Sequence, residues 1–294
     1  MIPTCLWGIY VFGWQAAMLL AVAVAASVFF EWGSEKILKR KNTVGDLSAV
    51  VTGMLIAMNL PSSAPFWLPI VGAFVAIVVV KQLFGGIGKN FLNPALAARV
   101  FLFLSWSDKM SSYPAIHGAD IEAYATPLAS LAESGETGAS LLDLFLGLHG
   151  GCIGEVSALL LLVGGIYLIV RKVISWYLPV SYLGTVAVIT LLFPQGGGFF
   201  DVNFMLTQLL SGGLMLGAIF MATDYVTSPV TSRGRLIFGV GCGLITVIFR
   251  YFSSYPEGVS FSILVMNALV WYIDRFTRPR IFGKSRKARK GEAK

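Results

Sequence analysis

Long uncharged runs are the feature that most constrains what this chain can fold into. Hydrophobic residues make up 56% of its 294 residues and charged residues only 13%, whereas a soluble domain carries about 25% charged residues. A water-facing globule of this size would lack polar surface. An ordinary cytosolic enzyme, a secreted disulfide scaffold and a disordered protein are therefore excluded, and the sequence predicts a polytopic membrane protein.

The apolar runs mark candidate membrane spans, but several of them are short. A spanning helix needs about 20 residues, and short runs interrupted by Gly or Pro are typical of broken helices around a site at the membrane midplane. The first run is too short for a complete span, which leaves the N-terminal boundary open. In chain order the runs are Ile2–Phe12, Trp14–Trp32, Asp46–Leu60, Phe66–Leu83, Phe91–Trp106, Val156–Val170, Val173–Phe193, Val202–Ala222, Leu236–Tyr251 and Val259–Ile273.

The few charges sort by membrane face. If the basic loop Glu35–Asn42 is cytoplasmic, alternation of the spans places the basic tail 275–294 inside and the acidic loop 107–140 outside, as the positive-inside rule requires. We therefore expect a multi-pass protein of the inner (cytoplasmic) membrane with its C-terminus in the cytoplasm. The tail is expected to contact anionic lipid, and the net charge of +7 does not indicate a nucleic-acid partner.

A faint internal repeat indicates how the spans are arranged. Gly72–Val80 followed by Lys81 aligns with Gly241–Phe249 followed by Arg250. If each repeat holds five spans, an odd number, the second repeat must insert upside down. The predicted fold is an all-α polytopic membrane protein of about nine to ten transmembrane helices, built as two inverted five-helix repeats with half-helices.

This repeat divides the chain into four parts. They are a first transmembrane repeat (1–106), an outside loop (107–140), a second transmembrane repeat (141–274) and the basic cytoplasmic tail (275–294). The outside loop is too long to be a simple connection. By composition alone it is an acidic surface loop, in which Thr126 is one hydroxyl among many.

A glycine-rich break, Phe84–Asn90, leads into Asn93-Pro94-Ala95 at the start of a helix. Carboxamides both donate and accept hydrogen bonds, so Asn90 and Asn93 suit the edge of a planar heterocycle better than an ion. The alternative is that Asn93 only caps its helix.

Two further segments near membrane depth are candidates. Asp224 ends an apolar run, where an ionisable residue is a functional candidate; the alternative is an interfacial cap. The half-helix Val51–Pro61 contains polar residues but no charge. The alternative to a functional role is that a small residue in it allows close helix packing.

The three cysteines, Cys5, Cys152 and Cys242, lie far apart in the sequence and none of them has metal-site or redox spacing. They are interpreted as packing residues, and no metal site is predicted.

In the half-helix, the glycine-rich break and the segments around Thr126 and Asp224, the chain resembles the RnfD/NqrB family. These are the flavin-carrying membrane subunits of the Rnf and sodium-pumping NADH:quinone oxidoreductase complexes. The similarity is closer to RnfD. It spans essentially the whole length, and its most specific stretches are Val51–Pro61, Lys81–Arg99, Ala125–Leu128 and Ala222–Pro229.

The resemblance implies a covalent flavin. The family attaches FMN through a phosphoester to a Thr in a motif of the form Asp-x-x-(Ser/Thr)-Gly-Ala-Thr, so its members are also phosphoproteins. Asp120, Ala125 and Thr126 match this motif in type and spacing, whereas Ala123 and Tyr124 depart from it. A flavin transferase would have to reach Thr126 from the outside face.

The resemblance also implies a second, noncovalent flavin (riboflavin or FMN), with Asn90 and Asn93 as the matching carboxamides. The implied function is electron transfer within an ion-translocating ferredoxin:NAD⁺ oxidoreductase, a redox-driven translocase moving Na⁺ or H⁺. Flavins carry the electrons, so no catalytic residue is predicted, and Asp224 is a candidate for ion coupling. Other membrane and peripheral subunits are expected partners. The alternatives are a small-solute channel or transporter with the same fold, and a structural scaffold that docks other subunits.

Overall fold

The computed structural model describes residues 1–113, 126–134, 139–155, 157–195, 199–253 and 257–279. Within these ranges the chain forms helices and no β-strand; a single antiparallel bridge joins Pro61 and Cys152. Numbered in chain order, the helices are α1 (Ile2–Phe12), α2 (Trp14–Ile37), α3 (Ser48–Met58), α4 (Trp67–Gln82), α5 (Pro94–Ser105), α6 (Ser107–Met110), α7 (Pro127–Ser134), α8 (Leu141–Leu146), α9 (Ala158–Val170), α10 (Tyr177–Leu192), α11 (Val202–Leu210), α12 (Leu214–Met221), α13 (Ser232–Phe252) and α14 (Val259–Thr277).

Among the described residues, α2, α13 and α14 are long and apolar enough to cross a membrane singly, and α11 with α12 forms a bent pair that qualifies together. The predicted run Val202–Ala222 is thus broken, with a bend of 65° between its two helices. Six other apolar helices have 10–17 residues. The chain is a helical membrane protein, and the number of about nine to ten spans stays a prediction.

Helix α2 continues to Ile37, beyond the predicted run Trp14–Trp32, because Glu35 in the added turn finds a polar partner. Glu31, within the run, finds one as well. Both Glu31 and Glu35 are buried. Glu31 forms an ion pair with Lys81 of α4, and Glu35 accepts the backbone N–H of Thr43 at 3.1 Å. Charged residues can therefore extend an apolar helix into a protein interior when each charge is paired.

Small residues let the helices approach closely. A Cβ on Gly53 of α3 would lie 2.8 Å from the carbonyl oxygen of Ala23 in α2. A Cβ on Gly239 of α13 would lie equally close, 2.8 Å, to the carbonyl oxygen of Leu178 in α10. Close contact through small residues is how membrane helices associate, and the small-residue packing considered for Val51–Pro61 is confirmed.

The two aligned basic residues of the sequence repeat have matching roles. Lys81, near the end of α4, donates to Ser48 Oγ at the start of α3 at 2.6 Å. Arg250, near the end of α13, donates to the carbonyl oxygen of Ser211 at 2.9 Å, just before α12. Each basic side chain thus satisfies a polar group at a terminus of a short helix, the start of α3 for Lys81 and the end of α11 for Arg250. The repeat and the inverted arrangement of its two halves stay predictions.

Candidate functional site

The ends of the short helices α3, α5 and α12 meet in the protein interior, at a point that we call the central crossing. Asn93 Nδ2, at the start of α5, donates to the carbonyl oxygen of Met221 at the end of α12, at 3.1 Å. Asn59, just after α3, lies against the same residue, with Nδ2 3.6 Å from Met221 Sδ. With its amide turned to suit its neighbours, Asn267 of α14 accepts the backbone N–H of Asn93 at 3.2 Å and donates to the carbonyl oxygen of Thr227 at 3.0 Å. Polar groups freed by the breaks therefore satisfy one another.

Asn93 also caps α5. Its Oδ1 accepts the backbone N–H groups of Ala95 at 3.1 Å and Leu96 at 3.3 Å, and Pro94 fills the first helical position, where no N–H is needed. The capping role considered from the sequence is confirmed. Because the carboxamide oxygen and nitrogen are both engaged, Asn93 has little hydrogen-bonding capacity left for a ligand.

Asn90 ends the glycine-rich break and faces different partners. Its Nδ2 donates to the carbonyl oxygen of Leu92 at 3.0 Å, and the side chain is buried. Gly85, Gly86 and Gly88 have φ angles of 122°, 92° and 82°, a region that residues with a Cβ rarely adopt. The glycine-permitted turn predicted at this point is therefore present.

Thr126 lies immediately before α7. Its Oγ1 accepts the backbone N–H of Ala129 at 3.2 Å, as a helix N-cap does. Helix N-termini favour negative charge, so a phosphoester on this hydroxyl would suit the position electrostatically. The side chain is only 5% exposed. The motif residues Asp120 and Ala125 lie outside the described residues.

Asp224 follows the end of α12 and is hydrogen-bonded locally. Its Oδ2 accepts the hydroxyl of Thr227 at 3.0 Å, and Oδ1 accepts the backbone N–H of Val226 at 3.5 Å. Burial raises the pKa of Asp224, and the hydrogen bond from Thr227 opposes that rise. The structure therefore places a titratable carboxyl in a turn beside the central crossing.

A cleft of about 410 Å³ opens next to Asp224. Its lining includes the cations Lys172 and Arg235 and the aromatic side chains Trp176 and Tyr225. Cations next to amphipathic aromatic rings suit a ligand with an anionic group, such as a phospholipid headgroup.

A buried charge cluster on the other side of the central crossing was not predicted from the sequence. Arg99 of α5 donates from Nη1 to Asn59 Oδ1 at 2.9 Å and from Nη2 to Glu257 Oε2 at 2.7 Å. The same Nη2 lies 3.7 Å from Glu155 Oε1 and 3.9 Å from Cys152 Sγ. Arg99 thus connects the end of α3 to the segments before α9 and α14.

The cluster contains three side chains of the types that bind metals, but a guanidinium sits among them. One ligand atom from each of Cys152, Glu155 and Glu257 lies within 4.8 Å of the others. Arg99 Nη2 is within 4 Å of a ligand atom of each residue, so the protein's own cation takes the place that a metal ion would need.

Two signals in the sequence could have found the buried charges. Arg99 lies inside the apolar run Phe91–Trp106 and Glu31 inside Trp14–Trp32, and ionisable residues within spans are functional candidates. Glu155 and Glu257 gave no such signal, because each lies next to an apolar run and is typical of a surface charge.

Broken helices that enclose paired charges and satisfied carboxamides define a class of protein, the polytopic membrane proteins built around half-helices. Residues 1–283 match the family described as NQR2, RnfD, RnfE. The chain belongs to this family, and the resemblance stated from the sequence is confirmed.

Individual relatives cover almost the whole chain. It is 51% identical, over 97% of its length and 88% of the relative, to a subunit of the Na(+)-translocating ferredoxin:NAD(+) oxidoreductase complex of Acetobacterium woodii. It is 39% identical, over 97% of its length and 89% of the relative, to a subunit of the proton-translocating ferredoxin:NAD(+) oxidoreductase complex of Clostridium ljungdahlii. A subunit of the ion-translocating oxidoreductase complex of Stutzerimonas stutzeri is 38% identical over 97% of this chain and 90% of that protein.

Proposed function

We propose that this chain is the RnfD subunit of an ion-translocating ferredoxin:NAD⁺ oxidoreductase complex and transfers electrons through bound flavin. The observation that carries the proposal is the similarity over 97% of the chain to subunits of complexes with this name. One relative is named as Na⁺-translocating and another as proton-translocating. The proposed coupling ion is therefore Na⁺ or H⁺. The other subunits of the complex are its partners.

In this proposal Thr126 holds FMN through a phosphoester, within the motif formed with Asp120 and Ala125. Flavin supplies the electron-transfer chemistry when bound, and the protein supplies its orientation and electrostatic surroundings. The position of Thr126 before α7 supports the assignment, because a helix N-terminus stabilises a phosphate charge. Since the Thr126 side chain is only 5% exposed, we infer that the flavin transferase modifies the chain before this residue becomes buried.

A second, noncovalent flavin, riboflavin or FMN, is proposed near the glycine-rich break. Asn90 is the better candidate to hydrogen-bond its ring edge, because Asn93 is already engaged by Met221 and by its own helix. Asp224 is proposed to contribute to ion coupling; its raised pKa would let it exchange a proton more readily than an exposed aspartate.

The proposed arrangement in the membrane follows the sequence analysis. It comprises two inverted five-helix repeats (1–106 and 141–274), an outside loop (107–140) and a cytoplasmic tail (275–294) that contacts anionic lipid. The matching roles of Lys81 and Arg250 support the repeat. Residues 114–125, 135–138 and 280–294 of the loop and tail lie outside the described residues.

The test of the function is covalent flavin on the denatured chain. The chain is produced together with its flavin transferase, separated on a denaturing gel and examined for flavin fluorescence and intact mass. We expect a fluorescent band that is lost in Thr126→Val and kept in Thr207→Val, which alters another buried threonine. A wild-type chain with no added flavin nucleotide would overturn the proposal. Undiminished electron transfer by a complex carrying Thr126→Val would favour the scaffold role instead.

A further inference from the structure

The two carboxylates of the Arg99 cluster differ in how well they are compensated. Glu257 has a hydrogen bond on each oxygen, from Arg99 Nη2 at 2.7 Å and from the Tyr113 hydroxyl at 2.9 Å. Glu155 is only 6% exposed, and its Oε1 has no hydrogen-bond partner among the described residues. Its nearest cation, Arg99 Nη2, is 3.7 Å away and already donates to Glu257.

A second buried guanidinium, Arg250 of α13, makes no hydrogen bond or ion pair with Glu155. Its hydrogen bonds go to Gln208 and to the carbonyl oxygen of Ser211, at the end of α11. The backbone of the α11–α12 break separates it from Glu155. A Cβ on Gly212 would lie 3.0 Å from Arg250 Nη2, and a Cβ on Gly213 would lie 2.5 Å from Glu155 Oε1.

Among the described residues, the remaining titratable neighbours of Glu155 are uncharged near neutral pH. Burial lowers the pKa of His149, which lies on the same segment, and so keeps the imidazole neutral. Burial also raises the pKa of the Cys152 thiol and of the Tyr113 hydroxyl. Glu155 is therefore a buried carboxylate that faces Glu257, shares one guanidinium with it, and lacks a hydrogen bond of its own on Oε1.

We propose that Glu155 is a proton-binding site, which gains a proton from water and releases it again. A buried carboxylate with an oxygen lacking a hydrogen bond is costly, whereas its protonated form carries no charge and can itself donate. A proton needs only one oxygen of Glu155. A metal ion would need the space that Arg99 Nη2 occupies.

The electrostatic surroundings of Glu155 bring its proton exchange into the physiological pH range. Burial and the nearby Glu257 carboxylate raise the pKa of Glu155 to about 7, against the opposing effect of Arg99. The inference goes beyond the proposed function, because it concerns a proton-exchanging group in this chain whether or not a flavin is attached at Thr126.

The test is infrared spectroscopy of the full-length protein in detergent across a pH series. We expect a carbonyl band from a protonated carboxyl group that is half-developed near pH 7 and shifts on selective isotopic labelling of glutamate. The band should be absent in Glu155→Gln. It should be unchanged in Asp201→Asn, a matched control in which Asn can still cap α11. If Glu155→Gln fails to fold, Glu155→Asp should move the midpoint of the band.

Three results would overturn the proposal. The first is a wild-type band that does not change from about pH 5 to about pH 9, a range wider than the usual spread of glutamate pKa values. The second is a titrating band that persists in Glu155→Gln. The third is removal of the band by Na⁺, but not by choline, at constant pH, which would make Glu155 a sodium ligand. Each result is separable from failure of the proposed function, because in-gel flavin fluorescence is read on the same samples.

Discussion

At the scale of single residues, Arg99 joins the two halves of the sequence. Its guanidinium contacts Asn59, Glu155 and Glu257, which belong to segments far apart in the chain. A guanidinium presents five N–H donors in a rigid planar fork, whereas the ammonium group of lysine has three donors around a single nitrogen.

Arg99→Met should therefore lower the free energy of unfolding by about 3–5 kcal/mol, because it leaves the buried Glu155 and the half-buried Glu257 without their counter-ion. The stability of Arg99→Lys should lie between that of Arg99→Met and that of the wild-type protein. Thermal unfolding in detergent measures both, with Arg171→Met, at an exposed position, as the control. A loss no larger than that of the control would show that the cluster does not stabilise the fold.

The titration of Glu155 should also make the free energy of unfolding depend on pH. Its pKa in the folded protein, about 7, lies above the ordinary value of 4.5, so the folded state binds the proton more tightly than the unfolded state does. This contribution is fully present below about pH 4.5 and is lost as pH rises through about 7. Relative to Glu155→Gln, the free energy of unfolding of the wild-type protein should fall by about 3 kcal/mol between these two pH values. Parallel melting-temperature curves for the two proteins would contradict this.

At the scale of helices, the break between α11 and α12 is the decisive element. Gly213 has a φ of 65°, and a Cβ there would meet Glu155. The same break packs against α7, since a Cβ on Gly212 would lie 2.7 Å from Leu128 Cδ2. One two-glycine turn thus positions both the Glu155 carboxyl and the helix that follows Thr126.

Gly213→Ala should cost about 2 kcal/mol or more, from backbone strain and from displacement of Glu155. Gly184→Ala is the matched control, because this helical glycine has open space around it and alanine favours a helix by up to about 1 kcal/mol. Unfolding midpoints compare the two variants. A Gly213→Ala protein as stable as the control would show that the break tolerates a side chain.

At the scale of the whole molecule, the orientation in the membrane can be tested by labelling introduced cysteines, because the native thiols should not react. Cys5, Cys152 and Cys242 are all buried. In spheroplasts, a membrane-impermeant maleimide should label Asp108→Cys directly and should label Arg171→Cys only after permeabilisation, since both positions are exposed and the charge distribution places them on opposite faces. The reverse pattern would show that the predicted orientation is wrong.

Much of the local structure could be predicted from the sequence. The apolar runs predict where helices lie, the glycines at 85, 86 and 88 predict a turn, and Asn93-Pro94 predicts a capped helix start; the structure contains all three. These features depend on neighbours a few residues apart, so periodicity, turn chemistry and capping rules are enough to find them.

The sequence by itself determined that this chain enters a membrane, where its glycine-rich break at Phe84–Asn90 lies, and the family to which it belongs. Only the tertiary structure decided that Arg99, Glu155 and Glu257 share one buried cluster, and that the α11–α12 break separates Glu155 from Arg250. The physical reason is that charge compensation depends on distances between groups distant in sequence, which are set by how broken helices cross. A carboxylate at the end of an apolar run looks the same in the sequence whether water or a guanidinium faces it.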